Sequence, residues 1–326
     1  MISYLGIDVS CRTLEVSDAL GSLTGQFANT PKGVASLLDW VHRHVPEGVQ
    51  VVVEPTSTYH HLLVEALNQS GKEVPYTLIN PAHTAAFATM QGKRAKTDRS
   101  DARLLAAFGE SQMPQPTPPP DQDQERVKSV RRHLAWLERE ARSARNRLET
   151  ARRSPWTLPE VLESLERAAT ALEEEAAQVA RALESHVARH PHWQQEIALL
   201  TTVPGIGVKS AILLVSELPA QARCRSAKAW VAFCGVNPEP RESGTSRYSR
   251  LSRRGAPQVR AGLYMAAVAA MRWNPVVHAL CQRLQAKGKS GRVRVMAAMN
   301  KLLHLCFGVL RSGKPFDVTL HQPMTP

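Results

Sequence analysis

Cysteine is scarce in this chain: five residues of 326 (Cys11, Cys224, Cys234, Cys281 and Cys306), odd in number, scattered, and never spaced as C-x-x-C. That pattern argues against a disulfide framework and against a structural zinc site, and it fits a reducing cytosol. No run of about 18 uncharged apolar residues occurs, so no membrane span is expected. The opening MISYLGIDVS has no basic n-region and already carries an acid, so no signal peptide is expected either. Acids are themselves scarce in one part of the chain. From Leu200 onward Glu217, Glu239, Glu242 and Asp317 stand against 19 Lys and Arg, a net of +15. The whole chain carries +12, so residues 1–199 carry −3. Charge held in one half points to a polyanionic partner, because phosphate neutralisation releases counterions and drives binding.

What is present is ordinary globular material, 43% hydrophobic and 21% charged, and long enough for two domains or two plus a helical insertion. Residues 1–112 alternate strand and helix signals. ISYLGIDV, TLEVSDAL and GSLTGQFAN read as three strands, VASLLDWVHRHV as a helix, and VQVVVE as a β-branched strand. A helix (YHHLLVEALNQSG), a strand (VPYTLIN) and a last helical stretch through DARLLAAFGE follow. This is an α/β layered domain with a mixed sheet. Residues 113–123, MPQPTPPPDQD, cannot hold a helix and mark a Pro-rich linker.

Residues 124–190 are heptad-like. Val127, Val130, Leu134, Leu137, Ala141, Ala144, Leu148 and Ala151 form one narrow stripe. After Ser154-Pro155-Trp156 a second runs through Leu158, Leu162, Leu165, Ala169, Leu172, Ala176, Val179 and Leu183. Stripes this narrow, flanked by charge, predict a coiled coil, closed within the chain or zipped to another subunit. Residues 195–326 read as a basic, mostly helical domain, with helices after Gly207, around Ala227–Cys234, and near Val259–Trp273, Pro275–Gln285 and Val293–Arg311. A polar Arg/Ser/Gly-rich loop is expected at roughly 237–258.

Four acids stand out by position. Asp8 lies in the first strand and Glu54 ends the strand VQVVVE, where a carboxylate is costly to desolvate unless paired or bound to a cation. Asp98 and Asp101, three apart at a helix start, share one face. Together they make an all-oxygen set suited to Mg²⁺ (or Mn²⁺) in phosphoryl transfer. Each has a plainer reading: helix-start acids favoured by the dipole, a strand-end surface residue, or, for Asp8, the first phosphate loop of a sugar-kinase fold, whose later Gly-rich loops are missing here.

VPGIG before VKSAILLVSEL reads as a helix–hairpin–helix turn. Gly205, Gly207 and Lys209 would grip a nucleic-acid backbone, although an ordinary inter-helix turn has the same composition. Arg241, Arg247, Arg250, Arg253 and Arg254 crowd the polar loop around Ser243 and could neutralise phosphate. No His-based triad accompanies that serine, and by composition it is an ordinary loop residue.

Taken in order, G-I-D, Glu54 before T-x-T-Y, I-N-P, K-T-D-x-x-D-A, V-P-G-I-G, F-C-G-V-N-P, E-S-G and the C-terminal G-V-L-x-S-G-K-P-F resemble the IS one-ten family of insertion-sequence transposases, essentially end to end. The resemblance implies an α/β plus α protein: a ribonuclease-H-like, junction-resolvase-like N-terminal domain, a coiled-coil middle and a helical C-terminal domain. It implies that Asp8, Glu54, Asp98 and Asp101 bind divalent metal, and that Ser243 is a nucleophile forming a phosphoserine link to DNA in a composite site with them. It further implies donor and target DNA, a structured guide RNA and a homo-oligomer (dimer or tetramer) as partners. One departure is Ser57, where the family usually has glycine. A resolvase-like nuclease that uses water, and a non-catalytic nucleic-acid-binding protein, are the competing readings.

Overall fold

The computed structural model describes residues 3–45, 48–69, 74–92, 98–219, 226–243, 246–252 and 255–321. They fall into two compact units, Met1–Pro119 and Pro120–Pro326.

The first unit runs β1 (Ser3–Val9), β2 (Thr13–Ser17), β3 (Thr24–Ala28), α1 (Pro31–His44), β4 (Val49–Val53), α2 (His61–Gln69), β5 (Tyr76–Leu78), α3 (Pro81–Met90) and α4 (Asp98–Gln112). Its five strands lie in the order β3-β2-β1-β4-β5; β2 is antiparallel to both neighbours, whereas β1, β4 and β5 run parallel. Every residue of β4 is buried, which is why VQVVV reads as a continuous β-branched run and not an alternating one. The single polar residue in it is satisfied: Gln50 Nε2 donates to Thr77 Oγ1 at 2.7 Å and to the Pro114 carbonyl at 2.8 Å. The Pro-rich stretch is thus more than a tether. Thr117 N donates to the Tyr76 carbonyl (2.7 Å), and Leu78 N to Thr117 Oγ1 (2.9 Å), so the segment covers the open edge of β5.

The second unit contains α5 (Gln122–Arg152), α6 (Pro159–Val187), α7 (Pro191–Thr201), α8 (Val208–Glu217), α9 (Ala227–Cys234), β6 (Pro238–Ser243), β7 (Ser246–Leu251), α10 (Pro257–Trp273), α11 (Pro275–Ala286) and α12 (Gly291–Ser312). Six of the described helices (α1, α3, α6, α7, α10 and α11) carry proline in their first turn, where the missing N–H leaves no bond unmade. The two heptad stripes face each other within the chain. Val127, Leu134 and Leu183 share one cluster, and Arg145–Glu173 and Arg152–Glu166 ion pairs link the helices in antiparallel order. The root of this hairpin is fixed to α8: Gln124 Nε2 donates to the Val215 and Leu218 carbonyls, and Glu217, 5% exposed, accepts from both Arg131 and Arg132.

The remaining helices enclose one apolar core in which α12 is central. By length and composition α12 could cross a bilayer, yet Ala298, Met299, Leu302, Leu303 and Cys306 are buried in that core. Burial pushes the Cys234 and Cys306 thiols up to about 12, so both stay protonated at neutral pH and serve as packing atoms. The stretch expected as a polar loop is instead the antiparallel ribbon β6–β7. Its strands are rich in Arg, Ser, Glu and Pro and show no apolar alternation, so periodicity gave no strand signal; the ladder is made by backbone groups that pattern does not report.

Candidate active site

Asp8 is the penultimate residue of β1, and Glu54 follows the last residue of β4. Ile7 is in register with Val53 across the parallel pair, so Asp8 and Glu54 are the next positions on adjacent chains, about 4.8 Å apart at the backbone. Both are half-buried at the C-terminal ends of their strands, where open α/β sheets bind ligands. Thr84, buried on α3, donates its hydroxyl hydrogen to Oε2 of Glu54 and fixes that carboxylate. Sequence reasoning missed Thr84, because a threonine inside a helix carries no signal until the helix is placed beside β4.

Helix α4 reaches the same end of the sheet through two glycine contacts. A Cβ on Gly6 would stand 1.9 Å from the Ala102 carbonyl oxygen and 2.6 Å from the Ala106 amide nitrogen. One on Gly109 would stand 2.5 Å from the Tyr4 ring. Helix and strand therefore touch backbone to backbone and run in opposite directions, so the start of α4 lies toward the Asp8 end of β1. Asp101, half-buried, directly precedes Ala102 in this contact. Asp98 is the first residue of α4, and its side chain lies outside the described residues. Arg103 completes the anchoring by donating to the Leu20 carbonyl at 2.7 Å.

Ser57, just beyond Glu54, has φ +49°, one of two described non-glycine residues in the left-handed region. Ser57 thus holds a backbone conformation in which glycine has an advantage.

The other expected residues belong to the second unit. Gly205 and Gly207 lie in the turn between α7 and α8, and they differ. Gly205 has φ +102°, and a Cβ there would stand 2.6 Å from Ala270 Cβ, so this glycine is required by close packing on α10. The N-cap of α8, Gly207, has open space where its Cβ would be. Lys209 pairs with Glu138 Oε1 at 2.7 Å, on an exposed face of α5. The turn is held by Asn274, fully buried, whose Nδ2 donates to the Pro204 carbonyl (3.1 Å) while its Oδ1 caps α11.

Ser243 is the last residue of β6, in register with Ser246, and Arg241 and Glu242 are in register with Tyr248 and Arg247; Arg250 is in register with Glu239. Arg253 and Arg254 lie outside the described residues, as do the side chains of Ser243, Arg241, Arg247 and Arg250. The root of the ribbon is tied down: Arg260 Nη1 donates to the Cys234 and Gly255 carbonyls at 2.9 Å, and Gly255 lies so close to Phe233 and Gly235 that a Cβ would fall 2.2 Å from the Phe233 carbonyl oxygen. The F-C-G-V-N-P motif is therefore a docking point for the ribbon. Beside it an open cleft of about 440 Å³ is lined by Leu251, Arg260, Tyr264 and Met299 among others. Tyr264, Met265 and Trp273 on α10 are exposed, and the Arg272 guanidinium sits 4.9 Å over Trp273. Neither the cleft nor the exposure of these side chains was legible in the sequence, because which side of α10 is covered depends on α8 and α12.

Two family profiles match the chain. One, described as a transposase of the DEDD type, covers residues 5–151, and the other, described as the IS116/IS110/IS902 family of transposases, covers 197–282. Among similar proteins, the pilin gene-inverting protein of Moraxella bovis is 26% identical over 98% of this chain and 99% of its own length. That of Moraxella lacunata is 25% identical over the same shares. An uncharacterised insertion-element IS110 protein of Streptomyces coelicolor is 26% identical over 49% of this chain and 39% of its own length.

Proposed function

The chain belongs to the IS110 family of transposases, and from that premise we propose that it cuts and rejoins DNA by metal-assisted phosphoryl transfer through a covalent phosphoserine. The observation that carries the metal half of this reading is the Ile7–Val53 register, joined to the backbone contact of α4 on Gly6, because it brings acids from three elements to one end of the sheet.

Asp8, Glu54, Asp98 and Asp101 would hold the ion. The donors are all carboxylate oxygens, as hard Mg²⁺ or Mn²⁺ prefers, and a hydroxyl-bound Glu54 is already oriented. When bound, such an ion lowers the cost of charge developing on the phosphoryl oxygens. Ser243 Oγ attacks the scissile phosphorus; the bond from phosphorus to a DNA hydroxyl oxygen breaks as the serine ester forms, and the leaving oxygen takes up a proton. A hydroxyl of a second strand reverses the step and releases the serine. One phosphodiester is exchanged for another at each stage, so rejoining needs no external energy source. Arg241, Arg247, Arg250, Arg253 and Arg254 would balance phosphate charge around the serine. The turn at Gly207 would work as a helix–hairpin–helix grip on the DNA backbone. Relatives named for gene inversion accord with a reaction that rejoins as well as cuts. A structured guide RNA and a homo-oligomeric assembly belong to the same proposal.

The test uses the element's own ends and flanking non-coding DNA in a cell-based recombination assay, with denaturing capture of protein–DNA adducts. Wild type is expected to give product and adduct; Asp8→Asn and Asp101→Asn give neither while still shifting DNA in a gel, and Ser243→Ala gives no adduct. An adduct that persists in Ser243→Ala refutes the nucleophile, and strand cutting without any adduct points to a nuclease that uses water.

A further inference from the structure

We propose that the second unit contains a binding site for a borderline transition-metal cation of the zinc class, built from Asp123, His186 and His190 at the root of the α5–α6 hairpin. Asp123 lies in the first turn of α5, His186 in the last turn of α6, and His190 is the N-cap of α7. One ligand atom from each lies within 4.8 Å of the other two, and none of the three residues is fully exposed.

Two observations favour a cation over a simple ion pair. First, Nε2 of His186 is buried without a hydrogen-bond partner, a costly arrangement for an imidazole unless something occupies its lone pair or takes its proton. Second, the separation of His190 Nδ1 from Asp123 Oδ2 is 3.9 Å, too long for a hydrogen bond. In a tetrahedral zinc site with bonds of about 2.0–2.1 Å, ligand atoms stand about 3.3 Å apart, so the side chains need draw in only by about 0.5–1.5 Å.

The surroundings resemble a ligand shell that is already oriented. Asp123 Oδ1 is held by Arg126 at 2.9 Å, leaving Oδ2 for the ion. The His190 ring packs 4.3 Å from buried Trp193, and the His186 ring centroid is 5.2 Å from that of His190, which limits both rings to a narrow range of positions. Two imidazoles and one carboxylate select Zn²⁺, Co²⁺ or Ni²⁺ over Mg²⁺, which takes oxygen ligands. Three protein ligands leave a fourth position for water. Because the ligands come from three helices, the ion would clamp the start of α5, the end of α6 and the start of α7, stiffening the root of the hairpin. Cysteine spacing could not reveal this site, since it contains no cysteine.

The test is Co²⁺ titration of tag-free, full-length protein in excess Mg²⁺, read by visible absorption, together with thermal melting with and without Zn²⁺. Wild type is expected to take up one Co²⁺ per chain with a tetrahedral-type band and to melt several degrees higher with Zn²⁺. His186→Gln and His190→Gln should weaken Co²⁺ binding at least tenfold and abolish the Zn²⁺ shift. Asp8→Asn should leave both unchanged, which separates this site from the carboxylates of the first unit. Should a histidine variant fail to fold, as judged by circular dichroism, Asp123→Asn at a partly exposed position carries the test with the same tenfold expectation. Absence of the band in wild type, or a band unchanged in all three variants, overturns the proposal.

Discussion

A left-handed serine three residues beyond Glu54 carries a measurable cost. Holding Ser57 at φ +49° costs about 1–2 kcal/mol relative to an ordinary conformation, and glycine would forgo that cost at the expense of some unfolded-state entropy. Ser57→Gly is therefore expected to raise stability by about 0.5–1 kcal/mol in denaturant melts; a loss of stability would show that the serine side chain makes a compensating bond. Glu217 is a second case. Burial raises its pKa, but hydrogen bonds and charge from Arg132 and Arg131 outweigh burial and leave the carboxyl below the ordinary range. A depressed folded pKa contributes stability that is complete above the unfolded value of about 4.3 and is lost as pH falls through the folded value. Glu217→Gln should cost about 3 kcal/mol near pH 7, since it leaves buried guanidinium charge uncompensated. The gap to wild type should close as pH falls below the unfolded value and through the depressed folded one, which melts across a pH series will read.

Among elements, the placement of α4 depends on glycine. Gly6→Ala would force backbone atoms apart by more than an ångström, so a loss of about 3 kcal/mol or more is expected, with loss of recombination as the start of α4 moves from β1. Wild-type stability and activity in that variant would show that α4 is held elsewhere. The α7–α8 turn offers an internal comparison. Gly205→Ala should destabilise, being strained by both φ and the contact with Ala270, whereas Gly207→Ala should lie within about 0.5 kcal/mol of wild type. If α8 presents its N-terminus to phosphate, Gly207→Ala, though stable, will weaken DNA binding in a gel shift; unchanged binding assigns the turn to packing alone.

At the scale of the molecule, the dominant fact is the +15 carried from Leu200 onward against −3 before it. If roughly six to ten of those cations contact phosphate, affinity for DNA should fall on the order of 10³–10⁵-fold between 50 and 200 mM salt. A flat salt dependence would mean that the charge merely solvates the surface.

The sequence by itself determined the strands of the first unit, the heptad helices and the helix at Ala227–Cys234, because each is written locally, in a period of two, three and a half or 3.6 residues or, for β4, in an unbroken β-branched run. It also singled out Asp8, Glu54, Asp98 and Asp101 as acids in unusual positions. Only the tertiary structure decided which distant side chains hold each candidate site in place. Thr84, Asn274 and Arg260 act through partners 30, 70 and 26 residues away, and no local pattern carries such pairings. The ribbon under Ser243 was hidden for the same reason, since polar strands are held by ladder bonds across the turn and not by alternation of side chains. The Asp123–His186–His190 cluster forms only because the hairpin returns α6 to the start of α5, joining Asp123 to a pair of histidines more than sixty positions away.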